Sequence, residues 1–188
     1  MSDFYDLTLR ETSEETQVLA SEIGWSKTNC ELNTVFIQAE SWGELKRKIS
    51  EESGDENIIV FEGGDADLNR KAAELGSVDI ILHPEKGRKD SGIDHIIAEK
   101  AAENNTAIGF DLKQLDESSK SQTHVLRHWI KNLELCEKYG TPYVFSSGAE
   151  NKYQLRAPRD LKSLIDSLGF DGSKAVSEHP KNIVERSS

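Results

Sequence analysis

A regular alternation of short apolar runs with helical stretches constrains the fold of this chain more than any other feature. Runs rich in branched and aromatic residues predict strands, and helix-forming segments separate them. The predicted strands are Phe4–Leu9, Thr34–Gln38, Ile58–Phe61, Val78–Leu82, Ala107–Asp111 and Tyr143–Phe145. This alternation predicts an α/β protein with a mostly parallel sheet, either doubly wound or closed into a TIM-like barrel.

The chain length narrows the architecture further. A full eight-fold barrel typically needs about 250 residues, whereas this chain has 188. We therefore expect a single α/β domain over residues 1–188, with a reduced barrel of parallel strands and outer helices. The longest helix is predicted from about Ser119 to Tyr139, and Glu185–Ser188 is expected to be a loose tail. In either architecture, the functional surface should lie at the C-terminal ends of the strands.

Composition excludes several classes of protein. The mean hydropathy of −0.60 and the absence of a long apolar run argue against a membrane protein. The N-terminal residues lack a basic region followed by an apolar one, so no secretory signal is predicted. Cys30 and Cys136 lie far apart and form no CxxC pair, which argues against a disulfide framework or a thiolate metal site. We expect a cytoplasmic protein.

The net charge of −11 is unevenly distributed. Residues 1–82 contain 18 acidic and 7 basic side chains, whereas residues 83–188 contain 16 of each. A net charge of this size argues against strong unaided binding to nucleic acid, because phosphate binding needs Lys and Arg. The acidic part is either a solvated surface or a face for a basic partner.

The segment His83–Gly92 is the most distinctive in the sequence and directly follows a predicted strand. It contains Lys86, Arg88 and Lys89 and leads into a predicted helix, whose first N–H groups favour an anion. These features predict a loop that contacts phosphate. An alternative is a capped loop in which acidic neighbours cancel two of the three positive charges.

Two further segments suit phosphate contacts. Ser146 and Ser147 follow the sixth predicted strand and offer hydroxyl groups. Arg156 and Arg159 flank a predicted helix start, where arginine suits bidentate contacts to phosphate. The alternative is that the two arginines pair with nearby acidic side chains, as surface arginines commonly do.

The longest predicted helix has a row of basic side chains along one face. The residues are Lys120, His124, Arg127, His128 and Lys131, at helical spacings. The neighbouring apolar stripe contains Leu126, Trp129, Ile130, Leu133 and Cys136. The basic row predicts a contact with RNA or an acidic protein surface, although a solvated face gives the same pattern.

Acidic and imidazole groups at the predicted strand ends suggest a catalytic alternative. Asp6, Glu62, His83 and Asp111 are the candidates for binding a divalent metal that activates water. The chain contains no HxH, HExxH, P-loop or GxSxG motif, so the sequence favours neither a complete metal centre nor a nucleophile elbow.

Several short motifs in the same order resemble a known family, archaeal ribonuclease P protein component 3 and its eukaryotic relatives. The matching segments are His83–Gly92, Ala98–Ile108, Lys138–Pro142, Ser146–Ala149, Leu155–Leu161 and Leu168–Gly169. The resemblance implies a TIM-type barrel related to the polymerase-and-histidinol-phosphatase (PHP) metallohydrolases. Those enzymes have an HxH on the first strand, where this chain has Asp6-Leu7-Thr8, so two of their metal ligands are missing.

The resemblance also implies a function. It predicts a protein subunit of an RNA-based endoribonuclease that removes the 5′ leader of precursor tRNA. Catalysis would then lie in the RNA with its Mg²⁺, with no catalytic residue, metal or cofactor in this chain, which would work with a small RNA-binding protein. The predicted RNA- or partner-binding residues are Lys86, Arg88, Lys89, His124, Arg127, His128, Lys131, Ser146, Ser147, Arg156 and Arg159. The alternative is a stand-alone PHP-like phosphoesterase.

Overall fold

Parallel strands form the centre of the computed structural model, which describes residues 3–29, 31–54, 56–117 and 122–187. The strands are β1 (Tyr5–Asp6), β2 (Lys27–Thr28), β3 (Asn33–Ile37), β4 (Asn57–Glu62), β5 (Ile80–Leu82), β6 (Ala107–Asp111) and β7 (Tyr143–Ser146). Strands β3 to β7 lie side by side in chain order in one parallel sheet, and β1 pairs with β2 in a second. Strand β1 also contacts β7, which brings the two sheets together.

Helices connect the strands and cover the outside of the sheet. They are α1 (Glu14–Glu22), α2 (Trp42–Glu52), α3 (Ala66–Glu74), α4 (His95–Glu103), α5 (Lys113–Glu117), α6 (Gln122–Tyr139), α7 (Pro158–Ser167) and α8 (His179–Arg186), with a π-helical turn at Lys174–Glu178. Sequential parallel strands with outer helices confirm the predicted reduced TIM-like barrel. Within the described ranges, no helix is long and apolar enough to span a membrane.

Alternate residues of the strands fill the barrel interior with apolar side chains. This inner cluster contains Tyr5, Leu7, Ile58, Val60, Ile80, Leu82, Ala107 and Val144, together with Ile183 and Val184 of α8. Helix α8 therefore closes the base of the barrel. Its Arg186 forms an ion pair of 3.2 Å with Asp79, which precedes β5.

A second apolar layer lies between the strands and the outer helices. Trp129 of α6 is fully buried there, edge-on to Phe110 of β6 and Phe145 of β7, with ring centroids 5.7 and 5.3 Å apart. Helix α6 buries Val125 and Asn132 besides Trp129, Leu133 and Cys136, so its packed face is rotated slightly from the predicted stripe. Leu126 and Ile130 are partly exposed.

The element boundaries differ from the predicted ones near both ends of the chain. Strand β1 covers two residues of the predicted strand Phe4–Leu9. Strand β2 was not predicted, because two residues are too few to form a recognisable pattern. Helix α8 continues to Arg186 and so extends two residues into the predicted loose tail, since its apolar face packs into the barrel base. The predicted helix start at Ser119 falls outside the described residues, as do Lys120 and Cys30.

Candidate functional site at the barrel mouth

A cavity of about 880 Å³ lies at the C-terminal ends of the strands, where the sequence predicted the functional surface. Polar residues from four neighbouring strand ends line it: Gln38 after β3, Glu62 at the end of β4, His83 after β5 and Asp111 at the end of β6. The loop after β5 and the first turns of α6 form its rim. We call this region the mouth, and the segment His83–Gly92 the mouth loop.

Buried asparagine side chains hold the mouth loop in place. Asn69 of α3 donates to the carbonyl oxygens of Pro84 and Gly92 at 3.0 and 2.9 Å, and Asn132 of α6 donates to that of Ser91 at 2.8 Å. Gly92 has φ +76°, and a Cβ there would lie 1.9 Å from the Pro84 carbonyl oxygen. The two ends of the loop therefore meet so closely that a side chain at Gly92 is excluded.

His83 is the centre of a buried polar network at the mouth. Its Nε2 lies 2.9 Å from Asp111 Oδ2, and its Nδ1 lies 3.0 Å from Gln114 Oε1. Its backbone adopts a left-handed conformation with φ 52°, which is rare for a residue with a side chain. Burial lowers the pKa of His83, but the neighbouring Asp111 carboxylate outweighs it, so the pKa is raised above the usual value.

Glu85 connects the mouth loop to α6. The indole Nε1 of Trp129 donates to Glu85 Oε1 at 3.1 Å and to Gln114 Oε1 at 3.0 Å. Glu85 is 3% exposed, and its Oε2 atom has no hydrogen-bond partner within the described structure. Burial raises the pKa of this carboxyl group, although His83 and the hydrogen bonds act in the opposite direction.

The remaining acidic groups at the strand ends are each engaged by protein groups. Glu62 Oε1 accepts from Arg10 at 2.6 Å, and the Arg10 guanidinium stacks 3.6 Å from the centre of the Phe36 ring. Burial alone would raise the pKa of Glu62, but the contacts with Arg10 and Gln38 outweigh burial, so this pKa lies below its usual value. Asp6 accepts from the backbone N–H and the hydroxyl of Ser147, and its burial raises its pKa to about 6.

These contacts decide whether the mouth suits the metal cluster of a PHP enzyme. His83 and Asp111 come together as predicted, but Glu62 is bound by Arg10 and Asp6 faces Ser147. Across residues 3–29, 31–54, 56–117 and 122–187, no group of three His, Cys, Asp or Glu side chains is arranged to hold a metal ion. The residues present therefore do not fit such a cluster.

Basic side chains of the mouth loop lie close to a basic face of α6 at the mouth. Lys86, Lys89, His124 and His128 line the mouth cavity. Arg127 and Lys131 lie on the same face of α6 as His124 and His128 by their helical spacing. The Lys131 charge helps to hold the pKa of Asp90 down, after the larger effects of Arg88 and Gly92. The six residues Lys86, Lys89, His124, Arg127, His128 and Lys131 are called the basic face below.

Three other predicted contact residues, Arg88, Ser146 and Ser147, are not part of the basic face. Arg88 also lines the mouth cavity, but it forms a bidentate pair with Asp90 at 2.7 and 2.8 Å and therefore stabilises the loop. Ser146 and Ser147 are 0% and 1% exposed, so their prediction as RNA-contacting hydroxyls is wrong. They end a buried strand, and Ser147 binds Asp6.

Arg156 and Arg159 do not line the mouth. The Arg156 guanidinium donates to the Tyr153 and Leu155 carbonyl oxygens of its own loop, at 2.9 and 3.0 Å. Arg159 is exposed on the first turn of α7. Their role in binding RNA or a partner stays a prediction.

Sequence reasoning missed several residues of the mouth. Arg10, Gln38, Lys113 and Gln114 all line it, yet none belongs to a recognisable motif. The available signal for Gln114 was its spacing, since its backbone N–H lies three residues after Asp111 and donates to that carboxylate at 3.3 Å. Asn69 and Asn132 were detectable as polar residues on the apolar faces of their helices.

The fold and the mouth together define a TIM-like barrel protein with a basic rim. Its polar floor consists of His83, Glu85 and Asp111, which hydrogen-bond to other protein groups. Residues 12–188 match the family model of RNase P subunit p30, and the chain belongs to this family. Ribonuclease P protein component 3 of Methanocaldococcus jannaschii is 40% identical over 135 residues, which cover 71% of this chain and 58% of that relative.

The matches to two other similar proteins cover a larger share of those proteins. Ribonuclease P protein component 3 of Methanococcus maripaludis strain S2 is 34% identical over 182 residues, covering 95% of this chain and 75% of that relative. A chain in a cryo-EM structure of archaeal ribonuclease P with mature tRNA is 32% identical, with a TM-score of 0.77. The match covers 100% of this chain and 82% of that chain.

Proposed function

We propose that this chain is a protein subunit of ribonuclease P and acts in the removal of the 5′ leader from precursor tRNA. The observation that carries the proposal is the whole-chain similarity to a chain of archaeal ribonuclease P with mature tRNA. A subunit that assists an RNA enzyme needs a surface for RNA rather than an active site of its own. The proposal places the chain in the cytoplasm with its RNA.

The basic face is the surface that we assign to RNA. It combines two loop lysines with four side chains on one face of α6, and buried Asn69 and Asn132 fix the loop against the barrel. Phosphate contacts of this kind set the position of a protein on RNA and weaken as salt rises. The polar floor behind the basic face keeps the mouth loop in shape, while Mg²⁺ and catalysis belong to the RNA.

A small basic protein partner completes the proposal. The chain has a net charge of −11, which opposes RNA binding outside the basic face. A partner that contributes more Lys and Arg would compensate for this repulsion. The complex of the two proteins is then expected to bind the RNA more tightly than this chain alone.

Reconstitution tests the proposed function. The cognate ribonuclease P RNA is assembled with and without this chain, and with and without the small RNA-binding subunit, at moderate Mg²⁺. We expect cleavage of precursor tRNA at the 5′ end to increase at least ten-fold when both proteins are present. Cleavage that is unchanged by this chain at every Mg²⁺ concentration would exclude it as a functional subunit. Cleavage by the protein without RNA would instead favour a phosphoesterase.

A further inference from the structure

A second groove lies outside the mouth, between α1 and the loop that follows β7. It encloses about 670 Å³ between the outer face of α1 and the side chains of Lys152 and Tyr153. None of the residues assigned above to RNA lines it. The proposed RNA contacts therefore leave this surface without a role.

The groove gathers exposed apolar side chains. Val18 of α1 is 53% exposed and Tyr153 is 80% exposed, and both line this groove. Among the described residues, these two are the large hydrophobic side chains that are left exposed. Leu19, also lining the groove, packs partly against the core beneath. Exposed apolar residues that cluster at one place mark an interaction site more strongly than scattered ones.

Neither the Val18 nor the Tyr153 side chain is part of the hydrophobic core, although Lys152 Nζ lies 5.3 Å from the centre of the Tyr153 ring. Helix α1 buries Thr16 and Ala20, so Val18 contributes little to the core. The backbone N–H of Tyr153 donates to Asn151 Oδ1 at 3.1 Å, and its carbonyl accepts from Arg156 at 2.9 Å. The loop thus holds the Tyr153 backbone in position, which lowers the entropy cost of binding.

Acidic side chains surround this apolar centre. Glu14, Glu15 and Glu22 of α1 line the groove, and Lys152 neutralises Glu15 through an ion pair of 2.5 Å. Glu14 and Glu22 have no ion-pair partner within the described ranges. Since residues 1–82 have 11 more acidic than basic side chains, the α1 side of the groove lies in the more negative part of the chain.

We propose that this groove binds a basic segment of another protein. An aliphatic or aromatic side chain of that segment packs between Val18 and Tyr153, and its Lys or Arg side chains face Glu14 and Glu22. The acidic rim repels RNA, and a second copy of this chain has the same net charge of −11. The inference rests on the proposed function for the source of the segment, which is another protein subunit of the same particle.

Binding of the full chain to each purified protein subunit of the same ribonuclease P, measured by calorimetry, tests the inference. We expect the double variant V18S/Y153S to bind one basic subunit at least ten-fold more weakly, because the apolar anchor loses its site. E22K, which reverses a rim charge, is expected to weaken the same complex. E99K reverses the charge of an exposed residue on α4 and serves as the matched control, which should leave the affinity unchanged.

The possible outcomes separate this inference from the proposed function. If the unmodified chain stimulates cleavage but V18S/Y153S binds every subunit normally, the groove is excluded and the function stands. If E99K weakens the binding of the basic subunit as much as E22K does, the effect is a general one of charge and the inference is overturned. Dimerisation of the chain through the groove, or crosslinks from Tyr153 to RNA, would also overturn it.

If the unmodified chain fails to stimulate cleavage, the proposed function fails, and the groove is tested with a defined probe. The probe is a helical peptide with lysines on one face and leucines on the other. Binding by the unmodified chain that V18S/Y153S loses supports the groove, and equal binding by both excludes it. Thermal unfolding followed by circular dichroism checks that the variants remain folded, as expected for exposed positions.

Discussion

The indole Nε1 of Trp129 donates to Glu85 Oε1 across 3.1 Å and so joins the packed face of α6 to the mouth loop. Trp129 is also the aromatic residue that fits between Phe110 and Phe145 in the outer layer. One side chain therefore aligns the two segments of the basic face with each other. This coupling gives the first prediction.

Replacing Trp129 with Phe removes the donor and leaves the buried Glu85 carboxyl less well paired. We expect W129F to lower the free energy of unfolding by about 2–3 kcal/mol, since both the hydrogen bond and some packing are lost. In an E85Q background, the same change should cost about 1 kcal/mol less, because no buried charge remains. Urea unfolding of the four proteins measures the coupling. If W129F lowers the free energy of unfolding equally with and without E85Q, the hydrogen bond does not couple Trp129 to Glu85.

Asp6 should make stability depend on pH in the acidic range. Burial raises its pKa to about 6 from 3.8, so the folded state binds a proton more tightly than the unfolded state. Stability contributed by this group therefore falls as pH rises from about 4 to 6, and ionised Asp6 costs about 3 kcal/mol at pH 7. We expect D6N to be more stable than the unmodified chain at pH 7 by about 1–2 kcal/mol, because the amide keeps one acceptor.

The control for this prediction is D67N, which changes an exposed aspartate on α3. Unfolding in urea between pH 4 and pH 7 compares the three proteins. D6N should flatten the pH dependence, and D67N should follow the unmodified chain. A loss of stability in D6N at pH 7 would contradict the prediction.

Asp111 should control the protonation of His83. The pKa of His83 is raised because the Asp111 carboxylate outweighs burial, so D111N should bring this pKa below 6.5. In the unmodified chain, the stabilisation from His83 is fully present below pH 6.5 and is lost as pH rises through its folded pKa. NMR titration of the imidazole signals measures the shift, with the exposed His95 as an internal control. An unchanged His83 pKa in D111N would refute this pairing.

Gly148 should tolerate no side chain, because Asp111 lies against its backbone. A Cβ at Gly148 would come within 2.4 Å of Asp111 Cγ, and its φ is +62°. Gly140 has a similar φ of +73° but open space around it, so G140A is the matched control. We expect G140A to cost about 1 kcal/mol from backbone strain and G148A about 2 kcal/mol more from the clash. If G140A and G148A lose similar thermal stability, the loop around Gly148 adjusts to relieve the clash.

The loop lysines and Arg88 should affect RNA binding in different ways. K86A/K89A removes two exposed charges, so we expect weaker binding of ribonuclease P RNA and a salt dependence reduced by about two phosphate contacts. R88A is expected to lower the stability of the loop, because its pair with Asp90 is lost. K100A, on α4, is the control and should change neither property. Filter binding across salt concentrations distinguishes these cases, and an unchanged salt slope in K86A/K89A would remove the loop from the RNA surface.

The sequence was sufficient to predict the barrel and the place of its functional end. Continuous apolar runs such as Ile58–Phe61 are strong signals because both faces of a parallel strand are buried. The two-residue strand β2 gave no comparable signal, since its pairing with β1 depends on neighbours far along the chain.

The site was harder to predict than the fold. The sequence showed which residues are basic and left open whether acidic neighbours cancel the loop charges. The structure shows that Asp90 holds Arg88 and that Arg156 folds back on its own loop. Burial also decided the role of Ser146, whose hydroxyl looked available from its position after a strand. The arginine contacts are local in the chain, but whether a side chain pairs within its loop or is buried depends on the folded conformation, which spacing alone does not determine.

Helix α8 has a consequence for how the protein is made on the ribosome. The helix follows all the strands in the chain, yet its Ile183 and Val184 belong to the cluster inside the barrel. During synthesis, the strands leave the exit tunnel while the base of the barrel is still uncovered. Until α8 emerges and completes the interior, the inner apolar surface of the nascent protein is therefore exposed and must be kept from causing aggregation.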